Sequence, residues 1–212
     1  ILVKVATSFT SIDNARKNLA AEIPGWNFNE VRQASSDIWN QALGQIAVKG
    51  NNEKEKVKFY SALYNAHFLP RTFSDVDGSY PRFDGDGQIM KMDHGTYYCD
   101  FSQWDTYRAV HPLFSILTPS RNGDMAHSLV LKGQQGGWLP IFPSWNSYTA
   151  AMIGDHCIAM IGDAIVKDTP GFDYEEAYTL MRKNAFEANP DSASYRDGKG
   201  RRAMESYLKY NY

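Results

Sequence analysis

The sequence has few cysteines, no excess of charge of either sign and no long apolar run. Cys99 and Cys157 are its only cysteines, and no CxxC pair occurs, which disfavours a zinc site or a redox motif. Two buried free thiols are the favoured interpretation, and a disulfide between them stays open. The net charge of −2 and the pI of about 6.2 argue against nucleic acid or an anionic membrane as partner. Because no run reaches about 18 apolar residues, no membrane span is predicted.

Several catalytic and binding motifs are also missing. The sequence contains no GxSxG, P-loop or GxGxxG pattern, which argues weakly against a serine-hydrolase elbow and against nucleotide binding. It contains no HExxH motif either, and His67, His94, His111 and His127 are scattered along the chain. A metal site built on histidines is therefore disfavoured, and no metal ligand is predicted within this chain.

Aromatic residues are abundant, at 14% of the 212 residues. Flat rings stack on the apolar faces of sugars, and they also fill hydrophobic cores. The core interpretation is favoured on general grounds, and sugar binding stays open. A third interpretation, a helical interaction module whose aromatics are only core, stays open as well.

The order of local signals predicts a mainly α-helical fold. Alternating apolar residues predict a strand at the start of the chain, and Ser11 is predicted to cap the first helix. A Gly- and Asp-rich stretch over residues 72–102 predicts a loop that carries a hairpin. The predicted helices cover residues 11–22, 29–48, 53–68, 103–117, 122–132, 148–167 and 174–187, with a last one starting near Gly200. The third of these is predicted to bury Val57, Tyr60, Leu63 and Tyr64.

The segment DVDGSYPRFDGDG, residues 75–87, offers oxygen ligands in a spacing that does not suit calcium. An EF-hand loop that starts at Asp75 requires glycine at its sixth position, and Gly78 stands at the fourth. The turns of a hairpin are therefore the favoured interpretation of this segment.

The segment SWNSYTAAMIGDH, residues 144–156, leads into a stretch that is apolar almost all round a predicted helix. Tyr148, Met152, Asp155 and Asp163 share one stripe of that helix, and His156 lies at its edge. Buried charges require partners or a wet cavity. Two interpretations stay open, a satisfied polar network in the core and the inner wall of an active-site cavity.

The segment DFSQWDTYRAVHP, residues 100–112, places Trp104, Asp105 and Arg108 within about one turn of a helix start. Asp105 and Arg108 have the spacing of a local ion pair. A tryptophan beside a carboxylate that accepts hydrogen bonds from hydroxyls is also the usual chemistry of sugar recognition. Both interpretations stay open from the residues alone.

Six segments in a fixed order resemble glycoside hydrolase family 92, the calcium-dependent exo-acting α-mannosidases, over essentially the whole chain. The segments are ILVKVATSFTSIDNARKNLAAEIPGW, FYSALYNAHFLPRTFSDVDGSY, FSQWDTYRAVHPL, GGWLPIFP, MIGDH with DAIVK, and GKGRRAMESYLKY. The resemblance implies a chain truncated at both ends. It divides the chain into the last strand of an N-terminal β-sandwich (residues 1–10), a helical linker (11–50) and a partial (α/α)6 toroid, the first part of the catalytic domain (51–212).

The resemblance also implies hydrolysis of terminal α-mannosides in glycans, with inversion by a carboxylic acid and a carboxylate on opposite sides of the bond. It places Trp104 and Asp105 in the mannose subsite and implies substrate contacts for Arg108, Trp145 and Asn146. The catalytic base and the calcium ligands are expected outside this chain, which is then inactive without the missing C-terminal half or other chains that complete the site. A secreted or periplasmic location is expected.

Tyr148 departs from the family pattern. The family has its general acid, a glutamate, in a segment like NETxxMIG, and this chain has SYTAAMIG with Tyr148 at that position. A phenol, with a reference pKa near 10, is a poor proton donor to a glycosidic oxygen. A non-catalytic carbohydrate-binding relative is therefore the alternative function.

Overall fold

The structure is a computed structural model, and it describes residues 1–191, 193 and 197–211. It is mainly helical, as the sequence predicts, and the partial (α/α)6 toroid stays a prediction. None of the described helices is long and apolar enough to cross a membrane. The helices are α1 Ile12–Glu22, α2 Phe28–Leu43, α3 Glu53–Ala66, α4 Gln103–Thr106, α5 Val110–Leu117, α6 Pro119–Gly136, α7 His156–Val166, α8 Tyr174–Phe186 and α9 Met204–Tyr210.

Four helices are preceded by an N-cap residue whose side chain accepts hydrogen bonds from backbone N–H groups of the first turn. Ser11 caps α1 as predicted, and Asn27, Asn52 and Asp173 cap α2, α3 and α8 in the same way. Such caps satisfy donors that have no partner inside the helix. Local sequence therefore sets these four starts.

Four short strands lie between α3 and α4, where the hairpin-bearing loop was predicted. β2 (Ser79–Pro81) and β3 (Ile89–Lys91) form an antiparallel hairpin. β1 (Arg71–Thr72) and β4 (Tyr98–Cys99) pair antiparallel outside it. Asp84, with φ of 64°, lies in the left-handed region in the turn between β2 and β3. The prediction of a hairpin in residues 72–102 is confirmed.

The core lies between α5, α6, α7 and α8, and a smaller aromatic cluster lies under the strands. Phe101, Leu129, Leu139 and Ile161 are fully buried in the main cluster. Cys99 and Cys157 are both buried and both free, so the favoured interpretation of the cysteines is confirmed. The cluster under the strands consists of Phe73, Tyr80, Met92, Tyr97 and Cys99.

Asp75 ties the N-terminal segment to the strands. Its carboxylate accepts hydrogen bonds from Ser8 at 2.8 Å, from Asn14 at 3.1 Å and from Asn18 at 2.7 Å, and also from the Thr10 hydroxyl. Burial raises the pKa of Asp75, but these hydrogen bonds outweigh it and lower the pKa overall. The carboxylate therefore remains charged and holds residues 8–18 against the turn that precedes β2.

Three predictions about elements are wrong. Residues 1–8 form no strand, because a β-ladder requires a hydrogen-bonded neighbour and no described segment pairs with them. The helix predicted over 148–167 begins only at His156, because Met152 (φ 50°) and Gly154 (φ 145°) leave the helical region. The helix predicted over 103–117 is divided into α4 and α5.

The predicted buried face of α3 is also wrong. Leu63 is buried, but Val57 is 65% exposed and Tyr64 is 37% exposed. Trp39 of α2 packs on Tyr64 with ring centroids 4.3 Å apart, and α2 itself has no buried residue. The apolar stripes of α2 and α3 therefore remain largely uncovered by the described residues.

Candidate functional site

Trp104 presents a partly exposed ring on the short helix α4. The residue is 42% exposed, and its indole meets the His156 ring edge-on at 5.2 Å between centroids. The guanidinium of Arg108 lies 5.9 Å from the indole centroid, and Arg108 also donates a hydrogen bond to the Trp104 carbonyl. These contacts hold the ring in one orientation while it stays accessible, which suits stacking on a flat apolar surface.

The His156 ring packs against the Trp104 indole. Its imidazole stacks on Tyr107 at 4.7 Å and 13°, and Gly154 leaves room for it. A Cβ on Gly154 would lie 2.4 Å from Nε2 of His156, so a glycine is required there. Burial lowers the pKa of His156, and the charge of Arg108 lowers it further. Nε2 is buried and has no hydrogen-bond partner among the described residues.

The carboxylate of Asp105 is exposed beside Trp104. Its nearest hydrogen-bond donor is the Ser102 hydroxyl at 3.5 Å. Arg108 forms no ion pair with Asp105 among the described residues and turns to the Trp104 carbonyl instead. The local ion pair suggested by the spacing is therefore wrong, and the Asp105 oxygens are left able to accept hydrogen bonds from hydroxyl groups.

The acidic residues near α7 have partners. Asp163 accepts hydrogen bonds from Lys167 at 2.7 Å and from Ser115 at 3.4 Å. Asp155 lies 3.7 Å from Arg201. Burial raises the pKa of the Asp155 carboxyl, and the charge of Arg201 opposes this shift. For these two groups, the structure agrees with a satisfied polar network.

Trp145 forms a second exposed aromatic surface. It is 74% exposed, and the guanidinium of Arg71 lies 4.9 Å from its ring centroid. Asp100 fixes both groups, because it accepts hydrogen bonds from the Arg71 Nε and, at 2.8 Å, from the Trp145 backbone N–H. Sequence reasoning missed Arg71 and Asp100, since no local pattern connects them with Trp145.

Asn146 is buried and engaged with the hairpin. Its amide nitrogen donates to the carbonyls of Pro81 at 2.6 Å and Arg82 at 3.2 Å. Its amide oxygen accepts from the Tyr97 hydroxyl at 2.8 Å. Both amide hydrogens are used, so these contacts give Asn146 a positioning role. The substrate contact implied by the resemblance stays a prediction that this geometry does not favour.

Tyr148 is buried, and its hydroxyl is engaged with the backbone of Trp138. The hydroxyl donates to the Trp138 carbonyl at 2.5 Å and accepts from the Trp138 N–H at 3.3 Å. Phe83 packs against the phenol ring, and Lys199 lies over it at 4.9 Å. Burial raises the pKa of Tyr148 well above its ordinary value. Because both hydrogen bonds of the hydroxyl go to the Trp138 backbone, it is not placed to donate a proton to substrate.

One cluster of potential metal ligands was missed in the sequence. Asp93, His94 and His127 each offer a donor atom, and the three atoms lie within 4.8 Å of one another. His94 and His127 are far apart in the sequence, but the fold brings their rings within 4.7 Å of each other, centroid to centroid. Two of the three donors are imidazoles, whereas calcium takes oxygen ligands, so this cluster does not fit the calcium ion of the family.

Comparison with known proteins gives one decisive match. The sequence profile described as the glycosyl hydrolase family 92 catalytic domain matches residues 14–212. The chain belongs to this family of glycoside hydrolases. A solved α-mannosidase of family 92 from Bacteroides thetaiotaomicron is similar to it, with 37% identity over 89% of this chain and a TM-score of 0.80. An inverting mannosidase of family 92 from the same organism covers 97% of this chain at 28% identity, with a TM-score of 0.85.

These family 92 relatives are much longer than this chain. The chain covers 25% of the first mannosidase and 27% of the second. It also matches, at 26% identity over 90% of its length, 21% of a protein of Arthroderma benhamiae described as an uncharacterized secreted glycosidase. The first mannosidase has also been solved in complex with mannoimidazole, and that structure shares 37% identity with this chain over 24% of its own length.

Proposed function

We propose that this chain is one part of an α-mannosidase that removes terminal α-linked mannose from glycans. Its membership of family 92 carries the proposal, because residues 14–212 match the catalytic domain. The similarity to α-mannosidases, one of them solved with a mannose-like inhibitor, supports the substrate class. The secreted relative supports a secreted or periplasmic location.

The finer mechanism is proposed by analogy with the relatives. One similar mannosidase is described as inverting, which supports inversion here. Inversion requires an acid and a base on opposite faces of the sugar, far enough apart to admit a water molecule. Neither Tyr148 nor the other site residues described above supply this pair. We therefore place the base, and the calcium ligands, in the remainder of the catalytic domain, and expect this chain alone to be inactive.

In this proposal Trp104 and Asp105 contact the terminal mannose. The exposed indole offers a stacking face, and the exposed carboxylate offers oxygen acceptors for sugar hydroxyls. Arg108 donates a hydrogen bond to the Trp104 carbonyl and lies beside the indole, with its guanidinium 5.9 Å from the ring centroid. Trp145, with Arg71 over its ring, would meet a more distant part of the glycan.

A non-catalytic carbohydrate-binding relative is the alternative function. The buried hydroxyl of Tyr148, at the position where the family has its acid, favours it. Catalysis without an acid at this position requires a proton donor elsewhere or a substrate with a better leaving group.

Binding of a mannose mimic to the full-length protein tests the assignment of Trp104 and Asp105. Trp104→Ala and Asp105→Ala should each weaken mannoimidazole binding by about 1–3 kcal/mol, because a group on the ligand loses its partner. Tyr178→Ala is the control, since Tyr178 is also an exposed aromatic residue, at 53%, and lies on α8. Unchanged binding in both site variants, with intact folding, would show that the two residues are only structural.

A further inference from the structure

One loop and one helix bring Asp93, His94 and His127 together. Asp93 and His94 follow β3, and His127 lies in the middle of α6. The Nδ1 atom of His94 is 3.0 Å from Oδ1 of Asp93, and the two imidazole planes are 17° from parallel. The side chain of His94 is 52% exposed and that of Asp93 is 76% exposed, so an ion from solvent can reach the cluster.

The hydrogen bond between Nε2 of His94 and the Gly171 carbonyl determines which ring nitrogen of His94 carries the hydrogen. Nε2 lies 3.1 Å from the carbonyl oxygen of Gly171, an acceptor, so Nε2 carries the hydrogen. In the neutral imidazole, Nδ1 then presents a lone pair toward the Asp93 carboxylate. Two acceptors face each other at hydrogen-bond distance, and only a proton or a metal ion between them removes the repulsion.

This arrangement matches the surroundings of a metal-binding histidine. Such histidines donate their second ring N–H to a carbonyl or carboxylate, which fixes the tautomer and turns the other nitrogen to the metal. The Gly171 carbonyl has this position relative to His94. The Nδ1 atom of His127 is buried and has no hydrogen-bond partner among the described residues.

We propose that Asp93, His94 and His127 bind a divalent transition-metal ion such as Zn²⁺. Two imidazole nitrogens and one carboxylate oxygen suit zinc and disfavour calcium. The exposure of the cluster leaves further coordination positions to water. This proposal is independent of the proposed function, because no residue of the cluster belongs to the sugar site.

A bound ion would join three parts of the fold. The loop after β3 carries two ligands, α6 carries the third, and the loop before α8 carries the Gly171 carbonyl that orients His94. Asp124, one turn before His127 on α6, already accepts a hydrogen bond from the Thr96 N–H at 3.0 Å. Metal binding should therefore raise the melting temperature of the chain, since a ligand that binds only the folded state stabilises it.

Calorimetric titration of the metal-free 212-residue chain with Zn²⁺ tests the site. We expect one ion per chain, and we expect His94→Ala, His127→Ala and Asp93→Asn each to weaken binding by about 10-fold or more. His67→Ala is the matched control, because His67 is a partly buried histidine outside the cluster, bonded to the Leu63 carbonyl. Its affinity should equal that of the wild type.

Two further results would overturn or support the assignment. The melting temperature of the wild type and of His67→Ala should rise with Zn²⁺, while that of the His94→Ala, His127→Ala double variant should not. Calcium at millimolar concentration should not displace the zinc. The proposal is wrong if the wild type takes up no zinc, or if the double variant binds it as tightly as the wild type.

Discussion

Tyr148 has a hydroxyl that makes two hydrogen bonds to a single residue, Trp138, inside a cluster of aromatic rings. A cavity lining would leave the hydroxyl free for water or substrate. The observed hydrogen bonds instead give the hydroxyl a structural role, because they hold Tyr148 against the segment that follows α6. Glycine at position 136 is part of the same packing, because a Cβ there would lie 2.2 Å from the Tyr148 oxygen.

Removal of this hydroxyl should affect stability more than catalysis. Tyr148→Phe leaves the Trp138 carbonyl without its buried donor, so the free energy of unfolding should fall by about 1–3 kcal/mol. In the full-length protein, any loss in the rate of mannoside hydrolysis should stay below the roughly 10²–10⁴-fold typical of a lost general acid. Chemical denaturation and a mannoside assay measure the two quantities.

Tyr178→Phe is the control for Tyr148→Phe, because Tyr178 is 53% exposed. It should change stability by less than about 0.5 kcal/mol. A Tyr148→Phe protein with wild-type stability and an abolished rate would contradict the structural role and restore Tyr148 as the proton donor.

Lys132 is a fully buried lysine held by a carbonyl and aromatic rings. It donates a hydrogen bond to the Tyr98 carbonyl at 2.6 Å, and its ammonium lies 3.6 Å from the Tyr97 ring centroid. Burial lowers the pKa of Lys132 from 10.5 to about 8, while Cys99, Asp100 and Cys157 nearby oppose the shift. The charged form is therefore disfavoured in the folded state.

The stability of the fold should depend on pH through this lysine. Between pH 8 and 10.5 the unfolded chain binds the proton more than the folded chain, so this contribution to stability rises with pH. As the pH rises, the unfolding free energy of the wild type should increase relative to that of Lys132→Met. The increase should be at most about 1.4 kcal/mol per pH unit. Both cysteines are present in both proteins, so their own titration largely cancels.

Denaturation at pH 8, 9 and 10 measures this difference. Lys58→Met is the matched control, because that side chain is 72% exposed on α3. A pH-independent difference for Lys132→Met would show that the pKa of Lys132 is not lowered in the fold.

At the scale of the elements, helix α6 and the segment after α7 approach each other closely at Gly123. A Cβ on Gly123 would lie 1.8 Å from the Pro170 carbonyl oxygen, which is backbone and cannot turn aside. In α7, a Cβ on Gly162 would have Met181 Cε as its nearest contact, at 3.6 Å. One helical glycine is required by packing and the other is not.

These two glycines give a paired prediction. Gly123→Ala should lower the free energy of unfolding by about 1–3 kcal/mol, because the backbone has to move apart. Gly162→Ala should raise it by about 0.4–1 kcal/mol, since alanine favours the helix and restricts the unfolded chain. Chemical denaturation of both variants tests the packing of α6, and changes of the same sign and size would contradict it.

The elements that the sequence predicted well depend on local chemistry. Ser11 caps the helix that follows it, and the Gly- and Asp-rich turns of residues 72–102 bend the chain locally, so the local sequence is sufficient to predict both. The start of α7 was misplaced because Tyr148 and Thr149 are held by distant carbonyls, of Trp138 and Phe142, which override an apolar helical pattern. The meeting of His94 and His127 depends on tertiary packing alone, so no sequence pattern could show it.

At the scale of the whole molecule, a folded core coexists with uncovered apolar surface. Ile38, Val57, Phe28 and Trp26 are each more than 60% exposed in and around α2 and α3. Large exposed apolar patches are usually covered in the working protein. The chain covers only 25% and 27% of two similar mannosidases, so we expect the remainder of such a protein to cover this surface.

We propose that this chain belongs to a working, inverting α-mannosidase. Proton NMR of the methyl glycoside of an α-mannobiose, hydrolysed by the full-length protein, observes bond cleavage and the configuration of the released mannose together. The methyl group locks the second sugar, so only the terminal mannose gains a free anomeric centre. We predict that β-mannose appears first and that the α anomer grows only later by mutarotation. Initial release of α-mannose would contradict inversion, and a disaccharide glycoside that is bound but never cleaved would contradict catalysis and favour the carbohydrate-binding alternative.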